Sequence, residues 1–478
     1  MTLRAVVVAL TLMIGFVGPW SRAEPVPMAV PVKVDPRVEL LSIVFRLAGN
    51  PEYNMPNSAS AYATDVEKHF AAYRNHPAVQ RARQLRQKRG VSFDAVMSFA
   101  VHLEPSLLPK LRLPLEPWPA QLDTRWTTPD AKTFVDLLNK FAVDSKFQEF
   151  VDAHADHYAK CAERLSTIVE RHPIVPWFDR YFGQRPSAKY TVIVGLLEGG
   201  GNYGVSCKLA DGAEEITPVI GIYKWDAQGL PAIGDEVYDT LIHEFCHTYT
   251  NALVDKHADA LRPAAKKLYE PNKDRLKNQA YGDPTAMLYE SMVRACVVRA
   301  LADTQGERAA NMQARREACS GFPWTIDLVE LLRTKYETDR TTYPTLDAFM
   351  PRVIEFFNAA GNDYDGLLKK FPKVVSMTPA ANVRNVPVTT KELVITFDRP
   401  MTDQSWALVT MGKDRSPEWG KPSYNADRTV LTVPMTLKPG KQYLFGLNAS
   451  RFIGFLSDDG QPLLPVEVTF RTAGGSAG

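Results

Sequence analysis

Apolar positions recur at three- and four-residue spacing from Pro36 to about Val101, as at Val38, Leu41, Val44 and Leu47, and predict a succession of amphipathic helices. The basic run Arg81, Arg83, Arg86, Lys88 and Arg89 within it reads as a solvated helix face. Five prolines between Pro105 and Pro119 end this pattern with an extended segment, and helical spacing resumes from Pro129 to Arg171. The period then changes: YTVIVGLL (Tyr190 to Leu197) is β-branched and apolar enough for a buried strand, and Val219 to Tyr223 is a second candidate. GGGNYG (Gly199 to Gly204) between them lacks the G-x-x-x-x-G-K phosphate signature and reads as a turn at a strand end. Helical patterns dominate again from Gly234 to about Leu368.

Past Lys370-Phe371-Pro372 the texture becomes short alternating strands: Glu392 to Asp398, Arg428 to Val433, Gln442 to Leu447 and Val466 to Arg471. They predict a β-sandwich of about 100 residues. The fold class expected is therefore α+β, a mainly helical unit with a small sheet over residues 24–372, followed by an all-β unit over 373–473. At 478 residues, 45% hydrophobic and 23% charged, the chain has enough apolar side chains to offset its ordering entropy. Its formal charge of +2 is too small for the phosphate-neutralising surface of a nucleic-acid binder. Residues 1–23 read as a secretory signal: Arg4, an apolar stretch from Ala5 to Trp20, and the small-x-small site Ser21-Arg22-Ala23. The expectation is an exported protein, periplasmic or extracellular, with Glu24 first and no membrane span after cleavage. Five scattered cysteines form no C-x-x-C pair, and their odd number allows at most two disulfides.

The sharpest chemical signal is His243-Glu244-Phe245-Cys246-His247, an H-E-x-x-H motif. On a helix the two imidazoles project from one face toward a single Zn²⁺, with Glu244 placed as base. From Thr240 to Val254 Glu244 is the only acid and no Lys or Arg occurs, so the helix is mostly buried and an unpartnered carboxylate there would be costly. The bland alternative is two core histidines beside a hydrogen-bonded Glu. Thr250 and Leu253 stand where a metzincin needs Gly and His, which excludes that class; the other common solution for a third ligand is a Glu on a later helix, with Glu270 and Glu290 in range. Glu270, in KLYEPNKDR, looks like an exposed helix end. Glu290 is the only acid of TAMLYESMVRACVVRAL, with Arg294 one turn later either as its ion-pair partner or as support for a ligating carboxylate. Tyr281, in NQAYGDP, is a candidate to donate its hydroxyl to a developing oxyanion. His154, His157 and Cys161 share a helix face but sit among charges, and His257 reads as exposed.

On HPAV (His76 to Val79), GGGNYG, IHEFCHTYTN (Ile242 to Asn251), AYG (Ala280 to Gly282) and YESMVRA (Tyr289 to Ala295) the chain resembles the gluzincin-type metallopeptidases, and more closely a family of secreted bacterial zincin-like proteins. The resemblance implies a helical zincin with a small sheet beside the metal helix, Zn²⁺ held by His243, His247 and Glu290, and Glu244 catalytic. No N-E-x-x-S-D surrounds Glu290, so the further catalytic residues of thermolysin-like enzymes do not transfer. TPAANV, ITFDRPM, LKPGKQY and VTFRT, within Val374 to Thr472, resemble the bacterial Ig-like domains of S-layer and other secreted proteins, with Tyr443 as a tyrosine corner. The expected activity is zinc-dependent hydrolysis of a peptide or protein substrate, with Tyr190 to Leu197 as the strand edge that the substrate pairs with. The sandwich would hold the enzyme on a cell-surface or polymeric ligand. The alternative, from another class, is a non-catalytic adhesion protein with a structural or vestigial zinc site.

Overall fold

In the computed structural model, which describes residues 30–55 and 60–474, the predicted amphipathic runs are helices. The signal segment, residues 1–23, lies outside the described residues. A short strand β1 (Val32–Lys33) leads into α1 (Pro36–Leu47), α2 (Ala61–Phe70), α3 (Pro77–Arg89) and α4 (Asp94–Val101). The HPAV motif has a local cause: Pro77 opens α3, and the Ala78 N–H donates to His76 Nδ1 at 3.1 Å, which caps it. After the proline-rich segment come α5 (Thr128–Asp144), α6 (Phe147–Ala153), α7 (Ala155–Arg171) and α8 (Val175–Phe182). The basic run of α3 is not simply solvated. Arg86 reaches the buried Glu52 and Arg81 pairs with Asp130, because long side chains can lie along the surface to fixed acids.

The sheet is built from β1, β2 (Ala188–Tyr190), β3 (Val192–Gly195), β4 (Asn202–Lys208) and β5 (Glu214–Gly221). β3 lies between β1 and β5 and is parallel to both, with Ile193 opposite Val219. β2 pairs with β5 ahead of it. Only β4 is antiparallel, and it pairs with β5 alone, Gly204 opposite Pro218. The expected edge is thus displaced: Tyr190 to Leu197 breaks into two strands, β3 is internal, and the bordering strand starts inside the GGGNYG motif. That motif turns only at Glu198–Gly201, where the Gly201 N–H donates to Glu198 O at 2.8 Å, and Gly221 is required beneath it because a Cβ there would lie 2.3 Å from Gly201 O.

The remaining helices are α9 (Val237–Lys256), α10 (Ala258–Tyr269), α11 (Lys273–Lys277), α12 (Pro284–Gln305), α13 (Glu307–Cys319), α14 (Thr325–Leu331), α15 (Leu346–Asn362) and α16 (Tyr364–Leu368). α12 starts at Asp283, whose carboxylate accepts from the N–H groups of Thr285 and Ala286 at 2.8 and 3.0 Å, with Pro284 in the first turn. One apolar core runs from Val30 to Leu367 and joins these helices to the sheet. α9 lies against β4 so closely that a Cβ on Gly204 would sit 2.0 Å from the Glu244 carbonyl oxygen, so only glycine fits at this crossing. No helix among the described residues is long and apolar enough to cross a membrane. All five cysteines are buried, unpaired thiols.

A second core, from Val386 to Phe470, fills a β-sandwich. One sheet orders β10 (Ser423–Tyr424), β11 (Val430–Thr436), β7 (Glu392–Phe397) and β6 (Val374–Thr378), with β9 (Glu418–Trp419) also on β11. The other orders β13 (Val466–Arg471), β12 (Gln442–Leu447) and β8 (Leu408–Thr410). Tyr443 closes its corner by accepting the Lys438 N–H at 2.8 Å.

Among the described residues, Glu39 and Glu198 lie in the first core without a counter-ion. The Glu39 oxygens accept from the Leu196 N–H at 3.2 Å and from the Tyr62 hydroxyl at 2.7 Å, and Tyr62 also bonds Tyr158. Glu198 accepts from Ser42 and from the Leu197 N–H. Both are held above the ordinary value of 4.5, Glu39 to about 8 and Glu198 to about 7, by burial first and, for Glu39, by the Glu198 charge beside it. The folded chain therefore keeps protons that the unfolded chain releases above its own carboxyl pKa. The stability they confer is complete below about pH 4.5 and is lost as pH rises through 7 to 8. Melting temperature followed from pH 5 to 8 should fall, and Glu198→Gln should flatten that fall; an equally steep fall in the variant would contradict the assignment.

Candidate metal centre

α9 and α12 bring three donors together. His243 and His247, one turn apart on α9, point their Nε2 atoms at a common region, 3.2 Å from each other. Glu290 on the second turn of α12 meets them, its Oε2 3.6 Å from His243 Nε2 and its Oε1 3.3 Å from His247 Nε2. Among the described residues this is the group of His, Cys, Asp and Glu side chains whose donor atoms converge, all within 4.8 Å. A tetrahedral ion with bonds of about 2.0–2.1 Å holds its ligands about 3.3 Å apart, so the spacing fits zinc. Three protein donors are also the count of a catalytic zinc site.

Their surroundings fit the same ion. The His247 ring bonds Asn251 Oδ1 through Nδ1 at 3.1 Å, one helical turn on, which assigns the proton to Nδ1 and leaves Nε2 as the donor. Arg294 Nε donates to Glu290 Oε2 at 3.1 Å, and its Nη2 donates to the Tyr281 hydroxyl at 2.9 Å. Burial alone would raise the Glu290 carboxyl, but His243, Arg294 and His247 outweigh it and hold the group well below the usual carboxylate range. Glu244, 6% exposed, follows the opposite course: burial, with Glu290 adding to it, leaves its carboxyl above the ordinary value although both histidines pull it down. A carboxylate with raised proton affinity beside such a cluster of donors is suited to take up and return a proton. Burial likewise pushes the Tyr281 hydroxyl well above its ordinary value, so it stays protonated and able to donate.

The other residues singled out in the sequence lie elsewhere. Glu270 is an exposed helix-end residue paired with Lys273. His257 faces Asp347 at 3.7 Å. His154 pairs with Asp65 at 3.4 Å, and His157 stacks on Tyr62 with its Nε2 3.5 Å from Cys161 Sγ, so aromatic packing and local bonds account for this face. Two participants escaped the sequence reading. Asn251 carried a signal, its place four residues after His247. Glu317 of α13, which receives Arg294 Nη1, carried none, because it stands in an Arg-rich amphipathic segment.

Residues 122–356, which contain every donor of this cluster, match the family model described as a domain of unknown function (DUF4932). Residues 369–472 match the model of the bacterial Ig-like domain. No curated protein matches the chain. Solved structures similar to it include CopC from Methylosinus trichosporium OB3b, at 18% identity over 22% of this chain and 96% of that one, with a TM-score of 0.18. They also include the S-layer protein rSbsC(31-844), at 17% identity over 49% of this chain and 33% of that one, and domains 1–6 of surface layer protein SbsC, at 15% over 53% and 35%, both with a TM-score of 0.18. The chain thus spans about a third of either S-layer structure, and likenesses at these scores carry no argument. From the family match and the two-sheet sandwich with its tyrosine corner, the C-terminal unit is a bacterial Ig-like domain.

Proposed function

We propose that the chain is an exported zinc-dependent hydrolase, acting on peptide bonds. The observation that carries the reading is the convergence of His243, His247 and Glu290 at zinc-like spacing with the buried Glu244 beside them. Bound there, Zn²⁺ supplies Lewis acidity toward a water molecule and a scissile carbonyl. Glu244 accepts the proton of the attacking water and returns it to the leaving nitrogen. Tyr281, held by Arg294 and protonated, would donate to the oxygen on which negative charge develops. Asn251 fixes the His247 ring and Arg294 fixes the Glu290 carboxylate, so the donors need little rearrangement. The gluzincin resemblance supports the same assignment. A non-catalytic adhesion role leaves the buried base Glu244 without a use.

Zinc content, measured by elemental analysis, and cleavage of a peptide library, read by mass spectrometry, test the proposal together. Glu290→Ala should lose zinc and activity. Glu244→Gln should keep zinc and lose activity by ~10²- to 10⁴-fold. Glu270→Ala should change neither. Tyr281→Phe should retain zinc and lower kcat more than it raises KM. A folded Glu290→Ala variant with the parent's zinc content would contradict the ligand set, and a fully active Glu244→Gln would contradict the mechanism. Export is tested apart: intact mass of the secreted protein should place Glu24 first, and retention of residues 1–23 would refute it.

A further inference from the structure

α13 supplies no donor to the cluster, yet two of its faces are engaged. At about 100° per residue, Gln313 and Glu317 fall on one face, while Arg315 and Cys319 fall on the opposite one. The second face meets the Ig-like domain. Cys319 Sγ donates to Leu463 O at 3.8 Å, and the Arg315 guanidinium covers Gly460, where a Cβ would lie 2.7 Å from its Nη2. The first face meets the ligand helix. Arg294 Nη1 donates to Glu317 Oε2, and Gln313 Nε2 donates to Glu317 Oε1 at 2.5 Å. Arg294 is thereby held on every side: Glu290 on Nε, Tyr281 on Nη2, Glu317 on Nη1, and the Phe322 ring 4.4 Å from its guanidinium carbon.

The charges make this more than a brace between helices. With an ion bound, both imidazoles are neutral donors, so the donor set would carry the single negative charge of Glu290, and a cation bonded to that carboxylate would cancel it. Glu317, 5% exposed, cancels the charge of Arg294 instead. With Arg294 bonded to Glu290 Oε2 and neutralised from behind, Glu290 keeps its negative charge and its Oε1 for an ion. Arg294 also makes no bidentate pair with Glu290: the Nη2 beside its Nε donates to the Tyr281 hydroxyl, and its Nη1 is committed to α13.

We propose that Glu317 is a positioning residue of the metal centre: acting through Arg294, it orients Glu290 and preserves the carboxylate's charge for the ion. The inference rests on the zinc reading and adds to it a helix without metal ligands. The alternative it must beat is a purely structural ion pair tying α13 to α12, which would affect melting but not the ion.

The test uses the full-length chain, with zinc affinity measured by chelator competition and ligand geometry by the visible spectrum of the Co²⁺-loaded protein. Glu317→Gln, close in shape, should weaken zinc binding by ~10- to 100-fold and alter the Co²⁺ bands. Glu307→Gln, an exposed position on the same helix, should do neither. In an Arg294→Gln background, Glu317→Gln should bring no further loss, since its effect runs through Arg294. Should Glu317→Gln fail to fold, Gln313→Ala, which removes only the Glu317 tether, should lower zinc affinity in the same direction but less. Zinc affinity within about twofold of the parent with a superimposable Co²⁺ spectrum, in whichever variant folds, would overturn the proposal even if melting falls. So would an undiminished Glu317→Gln effect in the Arg294→Gln background. A parent that binds neither ion would overturn the zinc reading itself, and this inference with it, a failure visible before any substitution is made.

Discussion

The architecture around the cluster depends on one constraint: Glu290, 6% exposed in an apolar helix, carries a negative charge. A buried carboxylate without partners costs several kcal/mol, so the fold must deliver compensating groups from other elements. They come from α9, as His243 and His247, and from within α12, as Arg294. Arg294 is nearly as enclosed and passes the requirement on to Glu317 in α13. Three helices are thus tied by one chain of charge, and their apolar faces close around it.

The sheet takes part through the approach of β4 to α9. Gly204 allows the strand to touch the backbone of Glu244, which sets the motif helix against the sheet border. That border is held in turn by the Glu198–Gly201 turn, whose buried Glu198 carboxyl accepts from Ser42 of α1. Glycines in GGGNYG therefore serve packing on both sides of the strand, and phosphate chemistry is not needed to explain them. The C-terminal domain has its own core and reaches the helical unit through α13 and the neighbouring Arg275, which donates to Pro465 O at 3.4 Å.

Much of this could be read from the sequence where a residue type contradicted its surroundings. An acid alone in an apolar helix, as Glu244 and Glu290 are, stands out against the hydrophobic period, and HExxH spacing supplies the geometry. Strands such as Glu392–Phe397 and Gln442–Leu447 were legible because their alternation is long enough to see. β9 and β10, two residues each, are too short for any period. β4 escaped because Asn202, Gly204 and Ser206 give its half-buried face, on which Gly204 meets α9, the composition of a turn, while Tyr203, Val205 and Cys207 are buried on the other. Glu317 as a partner of Arg294, and Glu52 as that of Arg86, were hidden for a different reason: a charged residue paired across tens of residues looks, in sequence, like any solvated one.

The central claim is a metal centre shared by α9 and α12, and anomalous diffraction from crystals grown with zinc, recorded on both sides of the zinc absorption edge, tests it most directly. The account predicts a peak about 2.0–2.1 Å from His243 Nε2, His247 Nε2 and a Glu290 carboxylate oxygen, with Glu244 outside bonding distance. A peak bound elsewhere, or none at this cluster in fully folded protein, would contradict it.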